Sequence, residues 1–397
     1  MTQAVLSTTG PSSTRILGAI SAAHFVSHYY ILLLAPLLPF VRADYGVSYT
    51  EIGFAFVAFN VISAALQTPA GFLVDRLGGR TLLVAGLIVG AAAFVLAGLV
   101  HSFWFMVAMF ALAGVGNTIY HPADYALLSQ HISPKRIGQA FSVHTFAGML
   151  GSAVAPPALL MMHQLWGWRS AFIVSGLFGL AIAGFVAAMP EAAAPAQKKA
   201  DSTGPNGKPD WHVLMSAPIL LNLFFFMLLA MITAGIYNYS VVALNDVYGT
   251  PMTTANAGLT GFLLASAGGV LLGGLLVGRT SRHTLVATLC LIVTAAFVLL
   301  VGVVDLGSLG LVGALSVAGL FSGVMMPSRD MIVRAVTPSG SFGKVFGFVT
   351  TGFNLGGIVA PLVFGPIMDH GSPRLVFAAV AALCLTSMAT VVGKTRI

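Results

Sequence analysis

Residues 104–130 read WFMVAMFALAGVGNTIYHPADYALLSQ. The run through Gly116 is wholly apolar and does not alternate, and about 20 such residues cross a hydrocarbon core as a helix. The polar residues that follow sit inside the same span, where a charge costs roughly 2.5–3.5 kcal/mol on insertion scales. On a helix, positions i, i+3, i+7 and i+10 share a face, so Gly114, Asn117, His121 and Asp124 form one polar stripe. Pro122 removes a backbone donor and disturbs the carbonyl of Thr118, leaving an acceptor for a neighbour or water. Such a segment is a membrane-spanning helix whose stripe faces protein or a watery cavity. It therefore needs other helices around it.

The rest of the chain supplies them. It is 57% hydrophobic and 7% charged, against about 25% charged in soluble domains. Twelve spans are predicted, at 15–40, 48–74, 81–100, 104–130, 138–161, 168–189, 214–243, 253–277, 284–304, 308–333, 343–366 and 374–393. Barrel strands would alternate and be shorter. Residues 1–14 lack the features of a cleavable signal, so the N-terminus is expected in the cytosol. Fourteen of the 18 basic residues then fall on the cytoplasmic side, Arg42, Arg169 and Arg374 fall outside, and Arg329 lies within a span. That asymmetry places both termini in the cytoplasm of a multi-pass inner-membrane protein. The net charge of +7 orients the chain in the bilayer and implies no nucleic-acid partner. Cys290 and Cys384 lie in separate spans and read as small apolar fillers.

The stretch PEAAAPAQKKADSTGPNGKPD, 190–210, reads as a flexible cytoplasmic linker. It divides the chain into bundles at 1–190 and 214–397 joined by 191–213. The two halves share a plan. A shift of 205 pairs Gly114 with Gly319, Pro122 with Pro327, Gly151 with Gly356, Pro156 with Pro361, and Arg169 with Arg374; upstream, a shift of 203 pairs Gly71 with Gly274 and Arg76 with Arg279. Six spans repeated in parallel is the arrangement of a carrier whose halves rock about a central site. The loop GFLVDRLGGR, 71–80, fits a gate on the inner face: Gly71 for close helix approach, Asp75 as an acceptor, and Gly79 with Arg76 and Arg80 holding the turn in the cytosol.

GFLVDRLGGR resembles the loop signature of the major facilitator superfamily, and WGWRSAF, 166–172, resembles its entry to the sixth helix. YHP at 120–122 and HFVSHYYILLLAPLLP at 24–39 are similar to the superfamily's fosmidomycin-resistance-like branch. The resemblance implies an all-α integral membrane fold of 12 transmembrane helices in two pseudo-symmetric six-helix bundles. It also implies a cavity lined by spans one, four, seven and ten. Two departures stand out: Gly278 replaces the Asp75 equivalent in the second loop, GLLVGRTSRHT, and the fifth span carries Gly148 and Gly151 but Pro156-Pro157 instead of a Gly-Pro pair, so the antiporter signature is only partly met.

The cavity spans carry the polar candidates. His24, His28 and Tyr29 lie on span one, Asn117 and His121 on span four, Tyr237 and Asn238 on span seven; His144 on span five and Asn354 on span eleven join them as solute contacts. Arg329 is the expected anchor for an anionic group, since guanidinium grips carboxylate or phosphate in a planar fork. The 205 shift lands Asp124 on Arg329, so opposite charges hold equivalent places. Asp124, Asp330 or His121 would carry the proton or form a gate, with Arg329 alternating between solute and Asp124. A pure gate role for Asp124 and Arg329 stands beside the transport-site role. Asp330, about 100° off the Arg329 face, would pair with Arg334 or Lys135. His24 and His28 could equally be packing residues bonded to backbone carbonyls. Four histidines in one half permit a metal, but nothing has ligand spacing along the chain, so neither metal nor cofactor is expected.

Phosphate-binding, metalloprotease and serine-hydrolase motifs are missing from the sequence, which argues against an enzyme. The sequence thus predicts a monomeric, proton-coupled secondary transporter of a small organic, anionic solute, working by alternating access in the lipid bilayer. Drug efflux by proton antiport is the alternative, and a membrane sensor the non-transport one.

Overall fold

The computed structural model describes residues 13–132, 137–189, 213–338 and 342–392. The 190–210 linker and Lys135 lie outside these residues, as does the side chain of Asp75. In the N-terminal half, α1 (Ser13–Ile31) passes through a 3₁₀ turn at Ala35–Leu37 into α2 (Leu38–Tyr45), and α3 (Tyr49–Leu77), α4 (Gly79–Leu99), α5 (Phe103–His131), α6 (Ile137–Trp166) and α7 (Trp168–Ala187) follow. In the second half α8 (Ala217–Ala234) passes through a π-turn at Gly235–Tyr239 into α9 (Ser240–Tyr248). Then come α10 (Met252–Val277), α11 (His283–Val303), α12 (Gly307–Ala335), α13 (Phe342–Asp369) and α14 (Arg374–Val392).

Eleven stretches of these helices are long and apolar enough to cross a membrane, and Arg374–Thr390 adds a shorter apolar one. The first and seventh predicted spans are each two helices in line. Pro36 and Pro39 withhold backbone donors in the first, and the π-turn interrupts the seventh. By contrast, α5 continues through Pro122 and α12 through Pro327.

The repeat in the sequence becomes a repeat in packing. α1 packs on α6 as α8 does on α13, α3 on α5 as α10 on α12, and α4 on α7 as α11 on α14. The turns agree as well: Gly46 (φ 65°) ends α2 and Gly249 (φ 67°) ends α9, a left-handed conformation that a side chain would strain. Cys290 and Cys384 are buried free thiols on α11 and α14, in keeping with their reading as fillers.

The halves meet where α3 crosses α13 and α6 crosses α10. At the face carrying residues 44–50, Asp369 at the end of α13 caps α3 of the other half. Its carboxylate accepts from the Tyr49 N–H at 2.7 Å, the Thr50 N–H at 2.8 Å and the Thr50 hydroxyl at 2.5 Å. Ser48 and Glu51 close a capping box around the same turn, the Ser48 N–H donating to Glu51 at 2.8 Å and the Glu51 N–H to Ser48 Oγ at 3.1 Å. The donors that a helix start leaves unpaired are thereby matched, two of them from across the interface. On the opposite face the halves part around a cavity of about 470 Å³ between α6 and α10. Phe141, Thr145, Leu271, Gly274 and Pro327 are among its lining residues.

Losing a cap costs about 0.5–2 kcal/mol. Asp369→Asn should therefore raise the population parted at the Tyr49 face by roughly twofold to thirtyfold. Distance distributions between spin labels on His101→Cys and Ser308→Cys, both at that face, would show it as a new long component. An unchanged distribution would mean that Asp369 does not hold the halves together.

Candidate functional site

The polar stripe of α5 divides between two neighbours. Gly114 and Asn117 face α3: the Ser63 hydroxyl donates to the Gly114 carbonyl at 3.3 Å, and Asn117 Nδ2 donates to Ser63 Oγ at 3.2 Å. Asn117, expected to touch solute, thus seals a helix contact. His121 and Asp124 face α1 and α6. There, His24 packs its ring 4.6 Å from His28, 5.3 Å from His121 and 3.8 Å from His144, the last pair stacked. Asp124 is fully buried, with Oδ2 3.4 Å from His24 Nδ1 and 3.6 Å from His144 Nε2. Neither approach completes a hydrogen bond. Both Asp124 oxygens, His24 Nδ1 and both His144 nitrogens are buried without a hydrogen-bond partner. Leaving such groups bare costs about 1–3 kcal/mol each, and more for a charged one. The cluster therefore presents buried polar atoms that a water, a proton or a cation would satisfy.

Its space comes from Gly148. A Cβ there would stand 2.6 Å from His24 Cδ2 and 2.9 Å from His28 Cδ2, so α6 can press against α1 only without a side chain at this position. The reading of His24 and His28 as packing residues bonded to backbone carbonyls fails: His24 Nδ1 has no such partner, and His28 Nδ1 lies 3.3 Å from Ser152 Oγ. Tyr29, one residue round the helix, meets Ser175 Oγ on α7 at 3.1 Å and is buried away from the cavity.

Across the interface Arg329 is mostly buried, its guanidinium 4.7 Å from the Phe226 ring centre and 5.4 Å from that of Phe353. It donates to the neighbouring Asp330 through Nε at 2.9 Å, with a second nitrogen at 2.9 Å. One expectation changes here: Asp124 is engaged with histidines instead of facing Arg329. Asp330 pairs with Arg329, its neighbour in the chain. Between the two sites stands Tyr125, half-exposed, its ring 6.1 Å from His121 and 6.0 Å from His144, within electrostatic range of Arg329 and Asp330. Asn354 is half-buried beside Phe353 on α13. Tyr237 and Asn238 lie on the π-turn, an irregularity frequent at functional sites, and the Tyr237 ring sits edge-on to Phe262 at 6.1 Å.

The 71–80 loop also differs from expectation. Gly71 faces open space, whereas Gly79 packs against Leu127 and the Ala123 carbonyl of α5, so the close approach belongs to Gly79. Arg80 donates to the carbonyls of Val186 and Ala187 at the end of α7, within its own half. It therefore braces one bundle and does not bridge two. Arg76 is exposed.

A family profile described as Major Facilitator Superfamily matches residues 20–255 and 223–395. The chain belongs to the major facilitator superfamily. It is accordingly a multi-pass membrane transporter, and members of this superfamily are not enzymes. It is 27% identical over 395 residues to the fosmidomycin resistance protein of Escherichia coli (strain K12), covering 98% of this chain and 95% of that one. Over 143 residues, 36% of this chain and 32% of the other, it is 31% identical to a probable L-galactonate transporter of the same strain. In fold it is similar to the crystal structure of a bacterial homolog of the human lysosomal transporter Spinster, with TM-score 0.81, 13% identity and 98% of each chain covered.

Sequence reasoning missed Gly148, Tyr125 and the aromatic pair around Arg329. Only Gly148 carried a signal, as one of two glycines spaced three apart on α6. Gly148→Val should push His24 and His28 out of place and cost about 1–3 kcal/mol by overpacking, lowering the unfolding temperature in detergent. Gly18→Ala, where a Cβ meets nothing within 4 Å, should be neutral or stabilising by up to about 1 kcal/mol. Equal effects from the two would show that the cluster does not depend on this close approach.

Proposed function

We propose that the protein is a proton-coupled secondary transporter of a small organic anion, working by alternating access between halves at 1–190 and 214–397 joined by 191–213. The observation that carries this reading is the division of labour between the two halves. An uncapped, fully buried carboxylate among imidazoles lies in one half, and a guanidinium packed beside a pair of touching phenylalanine rings lies in the other. Asp124 and the histidines take and release the proton, as ionisable groups inside a membrane bundle commonly do. Arg329 exchanges Asp330 for the solute's anionic group. Binding to Arg329 frees Asp330, which Tyr125 faces, and so links the solute's arrival to the N-terminal cluster. The chain sits as a monomer in the cytoplasmic membrane with both termini inside, and the cavity then opens to the cytosol. The partial likeness to a sugar-acid transporter supports an organic anion. Likeness to a resistance protein along nearly the whole length supports a second reading, proton-driven efflux of a toxic compound through the same site.

Uptake into proteoliposomes under an imposed proton gradient separates the roles. Arg329→Ala removes a charge-assisted contact of about 1.5–3 kcal/mol and should raise the half-saturating concentration of an organic-acid substrate roughly tenfold to hundredfold. Asp124→Asn should abolish gradient-driven accumulation while leaving solute exchange across equal pH. Full accumulation in both variants would remove the proposal. Loss of drug resistance on deleting the protein, with no organic-acid uptake, would select efflux.

A further inference from the structure

The unpartnered lone pairs of the N-terminal half have a geometry that neither packing nor hydrogen bonding explains. Side chains from three helices bring one donor atom each into one small volume: His24 from α1, Asp124 from α5 and His144 from α6. All three are buried, and their donor atoms lie within 4.8 Å of one another. The two approaches to Asp124 Oδ2, 3.4 and 3.6 Å, are too long and misaligned for hydrogen bonds. They do suit a metal shell. Ligands about 2.0–2.2 Å from a tetrahedral ion are separated by about 1.6 times that length, roughly 3.3–3.6 Å.

We propose that His24 Nδ1, His144 Nε2 and the Asp124 carboxylate form a binding site for a divalent transition-metal ion of the Zn²⁺ type. Two imidazoles with one carboxylate is a donor set that suits zinc, nickel or copper(II). Magnesium and calcium take oxygen-rich shells, and copper(I) prefers the sulfur ligands that this cluster lacks. The remaining groups fit around the ion. His121, its Nδ1 buried and unpartnered, lies alongside, its ring centre 5.3 Å from that of His24. His28, 4.6 Å from His24 and beside Ser152 Oγ, steadies the His24 ring. Gly148 supplies the room, and the half-exposed Tyr125, stacked on His121, is the surface-reaching residue next to the cluster. Every ligand comes from one half, so the site persists while the halves move. An ion there claims the same lone pairs as a proton on Asp124, so the two exclude one another.

The inference stands without the solute reading and is tested without solute or gradient. Full-length protein carrying a tag free of histidine is stripped with chelator and titrated with Zn²⁺ by calorimetry and equilibrium dialysis. One ion per chain should bind. His24→Gln, His144→Gln and Asp124→Asn should each weaken binding at least about tenfold, whereas His163→Gln, on the far end of α6, should not. X-ray absorption of the zinc-loaded wild type, which needs no variant to fold, should show nitrogen and oxygen ligands at about 2.0–2.1 Å with imidazole scattering. Saturable binding that survives His24→Gln/His144→Gln together, a shell without imidazole, or no binding at all would each overturn the proposal. Failure of gradient-driven uptake would leave these measurements unaffected.

Discussion

A carboxylate that has left water without finding a hydrogen bond is the constraint around which the N-terminal half is arranged. Asp124 sits at zero exposure with both oxygens unpartnered, in a protein whose surroundings offer no solvent to make up the loss. Such a group is kept only where it is periodically neutralised, by a proton or by a cation. The details of packing follow from that need. Imidazoles ring the carboxylate because they can be neutral ligands or positive partners, and Gly148 clears the volume that lets two of them reach it.

The C-terminal half solves the opposite problem. Arg329 stays charged, so it is stabilised by a partner and by π-faces instead of by protonation. Asp330 lies next to it in sequence, and Phe226 and Phe353 reach it from α8 and α13. The pseudo-repeat thus places a titratable group and a permanent charge at matching positions of α5 and α12. Each is stabilised within its own half. Neither depends on the other to remain buried, which leaves the two bundles free to separate or close as bodies.

How much of this the sequence revealed follows from what each signal measures. Hydrophobic length and the recurrence of Gly and Pro at one offset are properties of single segments, so the helices and the repeat were legible. Arg329, Asp124 and all four clustered histidines stood out because a polar group in an apolar run is conspicuous by itself. Their convergence did not. His24 and His144 are brought into stacking contact by the crossing of α1 and α6, and no spacing along the chain encodes a crossing angle. The same gap explains the loop: glycine identity marks a possible close approach, but whether Gly71 or Gly79 meets a neighbour depends on which way α3 and α4 are turned. Asp369 and Thr50 are ordinary residues at helix ends until the two halves are set side by side.

That contact also bears on how tightly one conformation is held. Among the described residues Asp369 makes no ion pair; it accepts from the backbone and hydroxyl at the start of α3, so its hold depends on alignment more than on attraction at a distance. A small rotation of one half removes all three bonds together, because they share one carboxylate and one helical turn. A latch of this kind is worth about 0.5–2 kcal/mol. A ligand can shift a two-state balance by no more than its differential affinity for the two states, and a single charge-assisted contact at Arg329 lies in the same range. The cap is therefore comparable in strength to a single charge-assisted contact.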